Sequence, residues 1–167
     1  MIKKIFFFIL VLVAINSNCG QKKKVSENIL PDTISAYGIT ITKESSPKEI
    51  AYLLIKGLDN DDEKLLAKLV AVKHEIEEIK KLFNKKGMRM KRKPTFEEVA
   101  TLTAKGWIAS YAILEPGRTR IVDEIIEGER ASVYCVGINP RGKEQSFEIW
   151  FVWEDNRWKA EAGLHWQ

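Results

Sequence analysis

Hydrophobic positions change their spacing three times along this chain of 167 residues. Residues 5–15 are an unbroken apolar run. From residue 20 to about 45 apolar side chains are scattered among Lys22-Lys23-Lys24, Ser26, Pro31 and Asp32, with one short extended piece at Ile39-Thr40-Ile41. Beyond that they recur at steps of three and four, the helical period, as far as Leu114, and from Arg118 they alternate with the period of a strand.

The helical stretch predicts three helices. Ser46-Pro47-Lys48-Glu49 sets an N-cap serine, a proline at the first helical position and a capping-box glutamate in register, and opens a helix that runs to about Leu58. Asn60-Asp61-Asp62-Glu63 opens the second, with acids near the positive end of the helix dipole. Its stripe of Leu65, Leu69, Val72, Ile76, Ile79 and Phe83 reads as one continuous core-facing surface. Thr95-Phe96-Glu97-Glu98 is a second capping box, and Glu115-Pro116-Gly117 ends the third helix, whose stripe is Phe96, Ala100, Thr103, Trp107, Tyr111 and Leu114. The alternating stretch predicts strands over 119–126, 131–138, 145–153 and 158–166, joined by short turns into an antiparallel meander. Phe147, Ile149, Phe151 and Trp153 share one face of the third strand, with Glu148 and Glu154 on the other. In the last strand Trp158, Ala160, Ala162, Leu164 and Trp166 alternate with Lys159, Glu161 and His165. One apolar face with a largely polar reverse belongs to a sheet covered on one side by helices, an α+β fold.

The first apolar run follows Lys3 and Lys4 and leads through small and polar residues to Cys19, the layout of an export signal. As a helix it would rise only about 16 Å, roughly half a hydrocarbon core. Composition adds little specificity. The net charge of +4 includes Lys3 and Lys4 of the leader, so the remainder is too weakly basic to point to nucleic acid. With Cys19 at the end of the leader, Cys135 stands alone and no internal disulfide is expected, so apolar burial must hold the fold.

With its cysteine directly after Asn16-Ser17-Asn18, the leader resembles a bacterial lipoprotein signal, in the relaxed form seen in some diderm bacteria such as spirochaetes. That resemblance implies a signal peptide over 1–18, a mature chain starting at a lipidated (palmitate-bearing) Cys19, a tether to residue 45 and a domain over 46–167. It also implies a chain exported and held on a bacterial membrane, the outer membrane or cell surface in preference to the inner one. An ordinary secretory signal and an uncleaved anchor are the alternatives. Three helices followed by a four-stranded meander resemble the NTF2-like (cystatin-like) cone, in particular the small lipoproteins with DUF4878-type domains. The residues that carry the likeness are Ser46-Pro47-Lys48-Glu49-Ile50, the Leu58-Asp59-Asn60-Asp61 turn and Trp153-Glu154-Asp155-Asn156-Arg157-Trp158-Lys159. The likeness implies a curved sheet closed by helices into a pocket, and often a homodimer through the sheet. No single function follows from it, since this fold hosts both enzymes and non-catalytic binders.

Candidate chemistry is sparse. Enzymes of this fold use an acid or His with a perturbed pKa opposite a hydrogen-bond donor inside the cone. Asp123 shares a strand face with Ile121 and Ile125 by simple alternation, so it is the acid expected to point inward, and Tyr111 is the donor that could face it. His74-Glu75-Ile76-Glu77-Glu78 begins like a zinc-protease motif but has Glu in place of the second His, so no metal is expected, and no cofactor. His74 lies nearly opposite the second helix's apolar stripe and is expected in solvent, and His165 falls on the polar face of the last strand. Cys135 sits in an apolar strand as a small buried hydrophobe. Lys85, Lys86, Arg89, Lys91, Arg92 and Lys93 cluster between the second and third helices and suit an anionic membrane or partner. The expected function is a membrane-anchored, non-catalytic domain that binds a small molecule, peptide or envelope protein. An Asp123/Tyr111 lyase or isomerase and a ligand-free assembly module are the alternatives.

Overall fold

The computed structural model describes residues 32–87, 90 and 92–167. The leader, Cys19, Arg89 and Lys91 lie outside the described residues. None of the described helices is long and apolar enough to cross a membrane.

The chain enters through a hairpin of β1 (Ile34–Ala36) and β2 (Ile39–Ile41), closed by Tyr37 and Gly38, both at positive φ, the turn whose twist matches the strands it joins. Ile34 and Ile41 are buried in the main core. The expected tether to residue 45 is thus corrected: these short strands belong to the domain. Helix α1 (Pro47–Asp59) starts on the expected capping box of Ser46 and Glu49. Gly57 leaves room for the next helix, since a Cβ there would stand 3.0 Å from Leu66 Cδ2.

The expected second helix is two. Helix α2 (Glu63–Leu69) ends where Val70 turns extended, and α3 (Val72–Lys85) begins after Ala71. Val70 forms a parallel bridge to Ala160, and the Ala71 N–H donates to the Ala160 carbonyl at 2.8 Å. The apolar stripe survives the break because both helices face the interior. Leu65 and Leu69 join the main core, while Ile76, Ile79 and Phe83 form a smaller core with Val99. Helix α4 (Phe96–Tyr111) starts on the Thr95/Glu98 capping box and runs unbroken through Gly106. The described residues therefore hold four helices where three are expected, in an α+β fold.

Strands β3 (Arg120–Glu127), β4 (Arg130–Ile138), β5 (Glu144–Glu154) and β6 (Arg157–Trp166) form an antiparallel sheet in that order. Its inner face carries Val133, Cys135, Phe147, Ile149, Phe151, Ala160 and Leu164, all in the main core with Trp107 and Tyr111 of α4. Two irregularities break the alternation. The register of β3 slips between Ile121 and Asp123, and that of β6 shifts across from Ile149 and Phe151, where Gly163 adopts φ 92. The reverse face of β6 is also not the open polar surface expected, because Lys159 and Glu161 are buried. Helix α3 closes this edge: the Ala162 N–H donates to Glu75 Oε1 at 2.7 Å, and the His74 N–H donates to Glu154 Oε2 at 2.8 Å. These bonds cover the middle of the β6 edge, a common way of blunting an exposed strand.

Candidate functional site

The structure does not bring the expected pair together. Because β3 slips after Ile121, Asp123 stands opposite Tyr134 rather than following the face of Ile121, which pairs with Cys135. An extra residue in a strand reverses the facing of everything after it. Asp123 is exposed, and its Oδ1 accepts only the Glu124 N–H, at 2.8 Å. Tyr111 is buried and engaged elsewhere: its hydroxyl donates to Asp59 Oδ1 at 2.8 Å and lies 2.7 Å from Thr119 Oγ1 in a second hydrogen bond. Asp59 Oδ1 also accepts the Gly117 N–H at 2.9 Å, so the trio staples the end of α1 to the loop after α4 and the start of β3. Burial first, and the bond to Asp59 in addition, push the Tyr111 phenol well above its ordinary range, which keeps it protonated.

The volume a pocket would occupy is filled. Trp107, Phe147, Phe151, Leu53 and Leu54 are fully buried side chains, Tyr111 meets Phe147 edge-on at 6.2 Å, and Phe147 packs on Trp166 at 5.0 Å. Cys135 is enclosed with them, and burial pushes its thiol up to about 12, so it is not a nucleophile at neutral pH.

An open cleft of about 610 Å³ lies outside this core. Its floor is apolar, from Ala67, Val72, Phe96 and Ala100. One wall is α2, whose Lys64 and Lys68 stand one turn apart and form no ion pair with a described residue. Across from it lies the first turn of α4 with Glu97. The β5–β6 turn closes the back. Asp155 and Asn156, both at positive φ, form the two-residue turn that the Glu-Asp-Asn signature foreshadowed. There Lys159 is buried between Glu154 Oε1 at 2.8 Å and Asp155 Oδ2 at 2.7 Å, and Lys73 reaches Asp155 Oδ1 at 2.5 Å. Burial alone would raise the Asp155 carboxyl, but the two lysines outweigh it and the net shift is downward. Asp32 sits at the rim between Lys43 and Arg157. Among the described residues no cluster of His, Cys, Asp and Glu is arranged to hold a metal ion.

The chain matches no family model and no curated protein. Among solved structures it is similar to a Campylobacter jejuni protein provisionally assigned as an NTF2-like transpeptidase. The identity is 16%, over 71% of this chain and 100% of that chain, with a TM-score of 0.45.

Of the expected basic cluster, Lys85, Lys86 and Lys93 are exposed. Arg92 is not free: it forms a two-pronged bond to Glu98, at 2.7 and 2.5 Å, beside the α4 cap. Arg92, with the Thr95 N–H, holds the Glu98 carboxyl down at about 2. His74, expected in solvent, has a side chain only 16% exposed and turns its Nε2 to within 3.6 Å of Glu161 Oε2. His165 stacks on Trp150 with ring centroids 3.7 Å apart. Sequence reasoning missed the cleft because its walls come from segments that only tertiary packing brings together. The one local signal was the pair Lys64 and Lys68, at a spacing that places them on the same helix face.

Proposed function

We propose that this chain is a membrane-anchored lipoprotein of the bacterial cell envelope whose NTF2-like domain binds a ligand or another protein and performs no catalysis. The observation that carries the non-catalytic reading is the filled interior: aromatic and aliphatic side chains occupy the space where a catalytic acid and donor would work. The Asp123/Tyr111 alternative loses its support, since the one is exposed and the other is bonded to Asp59 and Thr119. Ligand binding is assigned instead to the outer cleft, whose apolar floor and whose Lys64 and Lys68, without an ion pair among the described residues, suit a small amphiphilic or peptidic ligand with an acidic group.

The anchor rests on the leader pattern and on Cys19. From Cys19 to Asp32 the chain reaches at most about 45 Å fully extended. Asp32 lies at the cleft rim, so an anchored domain keeps its cleft within that distance of the bilayer. Lys85, Lys86 and Lys93 then supply secondary contact with anionic head groups. Growth with a labelled fatty acid tests the reading: label should appear in the wild-type protein and disappear in Cys19→Ala. Label that survives Cys19→Ala overturns the anchor at that residue.

A further inference from the structure

Strand β3 is one outer edge of the sheet, and among the described residues no strand pairs with the side of it that faces away from β4, where the Glu124 N–H donates only to the neighbouring Asp123 side chain. The middle of the other edge is covered, as described above. The open edge also exposes three aliphatic side chains of one strand: Val122, Ile125 and Ile126 are 44%, 54% and 51% exposed. Ile125 stands opposite Ser132 and Ile126 opposite Ala131, so the two isoleucines point to opposite faces of the sheet. A partner lying flat on either face would cover one and leave the other in water. A strand added along the edge has side chains on both faces and covers both.

Charge decides what that strand is. Asp123, Glu124 and Glu127 line the edge, and none forms an ion pair with a described residue. Glu124 Oε1 does accept the Lys48 N–H at 2.6 Å, which ties the edge to the first turn of α1 and holds it in place before any partner arrives. A second copy of the chain is a poor occupant. Antiparallel self-pairing centred on Ile125 sets Asp123 against Glu127, and centring it on Glu124 sets that carboxylate against its own copy. Like charges directly opposite one another destabilise a strand pair. A segment of alternating character with Lys or Arg facing Asp123 and Glu127, and aliphatic side chains facing Ile125 and Ile126, satisfies both the charges and the apolar surface. We propose that the β3 edge is a docking site where a basic, aliphatic segment of another protein adds as a fifth strand. The inference is independent of the cleft and of the anchor.

The test uses the full-length protein as isolated from cells in neutral detergent and a short, end-capped synthetic strand. The probe carries lysines at positions facing Asp123, Glu124 and Glu127 and valines at those facing Ile125 and Ile126. A second probe of the same sequence is N-methylated at alternate residues, which keeps its side chains and charge but removes the N–H groups that would bond to the edge. Fluorescence anisotropy should show saturable binding of the first probe and a loss of about tenfold or more for the methylated one. Glu127→Lys, an exposed change, should weaken the first probe several-fold. Equal binding of the two probes, or no saturable binding, overturns the proposal, as does a sedimentation result showing that β3 is already closed by a second copy.

Discussion

At single residues, the fold is held by close fits whose failure can be stated in advance. Gly137 on β4 is one. A Cβ built there would lie 2.5 Å from Leu114 Cδ1 and 2.8 Å from Thr119 Oγ1, so Gly137→Ala forces apart the loop after α4 and the start of β3. Thr119 is also the partner of Tyr111, so the clash reaches the staple that Asp59 completes. Overpacking of this kind costs about 1–3 kcal/mol, and the urea midpoint of Gly137→Ala should fall accordingly with the slope unchanged. The same region shows the limit of reading residues by alternation. Simple alternation places Asp123 on the inner face, because Ile121 and Ile125 are two residues away on either side. One slipped register between Ile121 and Asp123 reverses that assignment, and nothing in Arg120-Ile121-Val122-Asp123 marks the slip.

Elements whose signals are local were legible, and those set by distant contacts were not. The starts of α1 and α4 are capping boxes contained within four residues each, and β3 to β6 begin and end within about a residue of the expected limits. The break between α2 and α3 has no local cause, since the apolar stripe runs straight through it. It is imposed by the bonds of Val70 and Ala71 to Ala160, on the last strand. Of the first hairpin, Ile39-Thr40-Ile41 reads as extended and is β2, whereas the three residues of β1 are too few to show an alternation. The docking of α3 on β6 also carries a pH dependence. His74 faces Glu161, which Arg130 holds from the sheet at 3.2 Å, and Glu75 and Glu78 lie near it on its own helix. The hydrogen bond that His74 donates to Glu161 raises its pKa, burial opposes it, and the net shift is upward. A folded-state value above the unfolded one means that the stabilisation is complete below about pH 6.5 and is lost as pH rises through the folded value. Urea unfolding at a series of pH values should therefore show stability declining through that window. His74→Gln should remove that part of the slope, and an unchanged slope in the variant would assign it to other groups.

On the scale of the whole molecule, two features sit outside the packed core: a charged cleft rimmed by Asp32 and an open acidic edge at β3. Neither could be read from the sequence. The cleft draws on residues from Asp32 to Lys159, and the edge is recognisable only once the strand order is known. What the sequence does expose is the division of labour proposed for the membrane, a covalent lipid at Cys19 against a few lysines, and the two terms differ in their response to salt. Acyl chains contribute about 0.8 kcal/mol per buried methylene and are indifferent to ions. A lysine at an anionic surface contributes about 1 kcal/mol, and the distance over which it acts shrinks from about 10 Å at 0.1 M salt to about 3 Å at 1 M. In vesicle flotation the lipidated protein should therefore float with neutral and anionic vesicles alike, at low and high salt. Cys19→Ala, expressed without its leader, should float only with anionic vesicles and only at low salt. Changing Lys85, Lys86 and Lys93 to Gln in that background should abolish the remainder while leaving the lipidated protein unaffected. These three side chains are exposed, so their loss leaves the core untouched. Flotation of the leaderless Cys19→Ala protein at high salt would mean that an apolar surface of the folded domain, and not the lysines, makes the second contact.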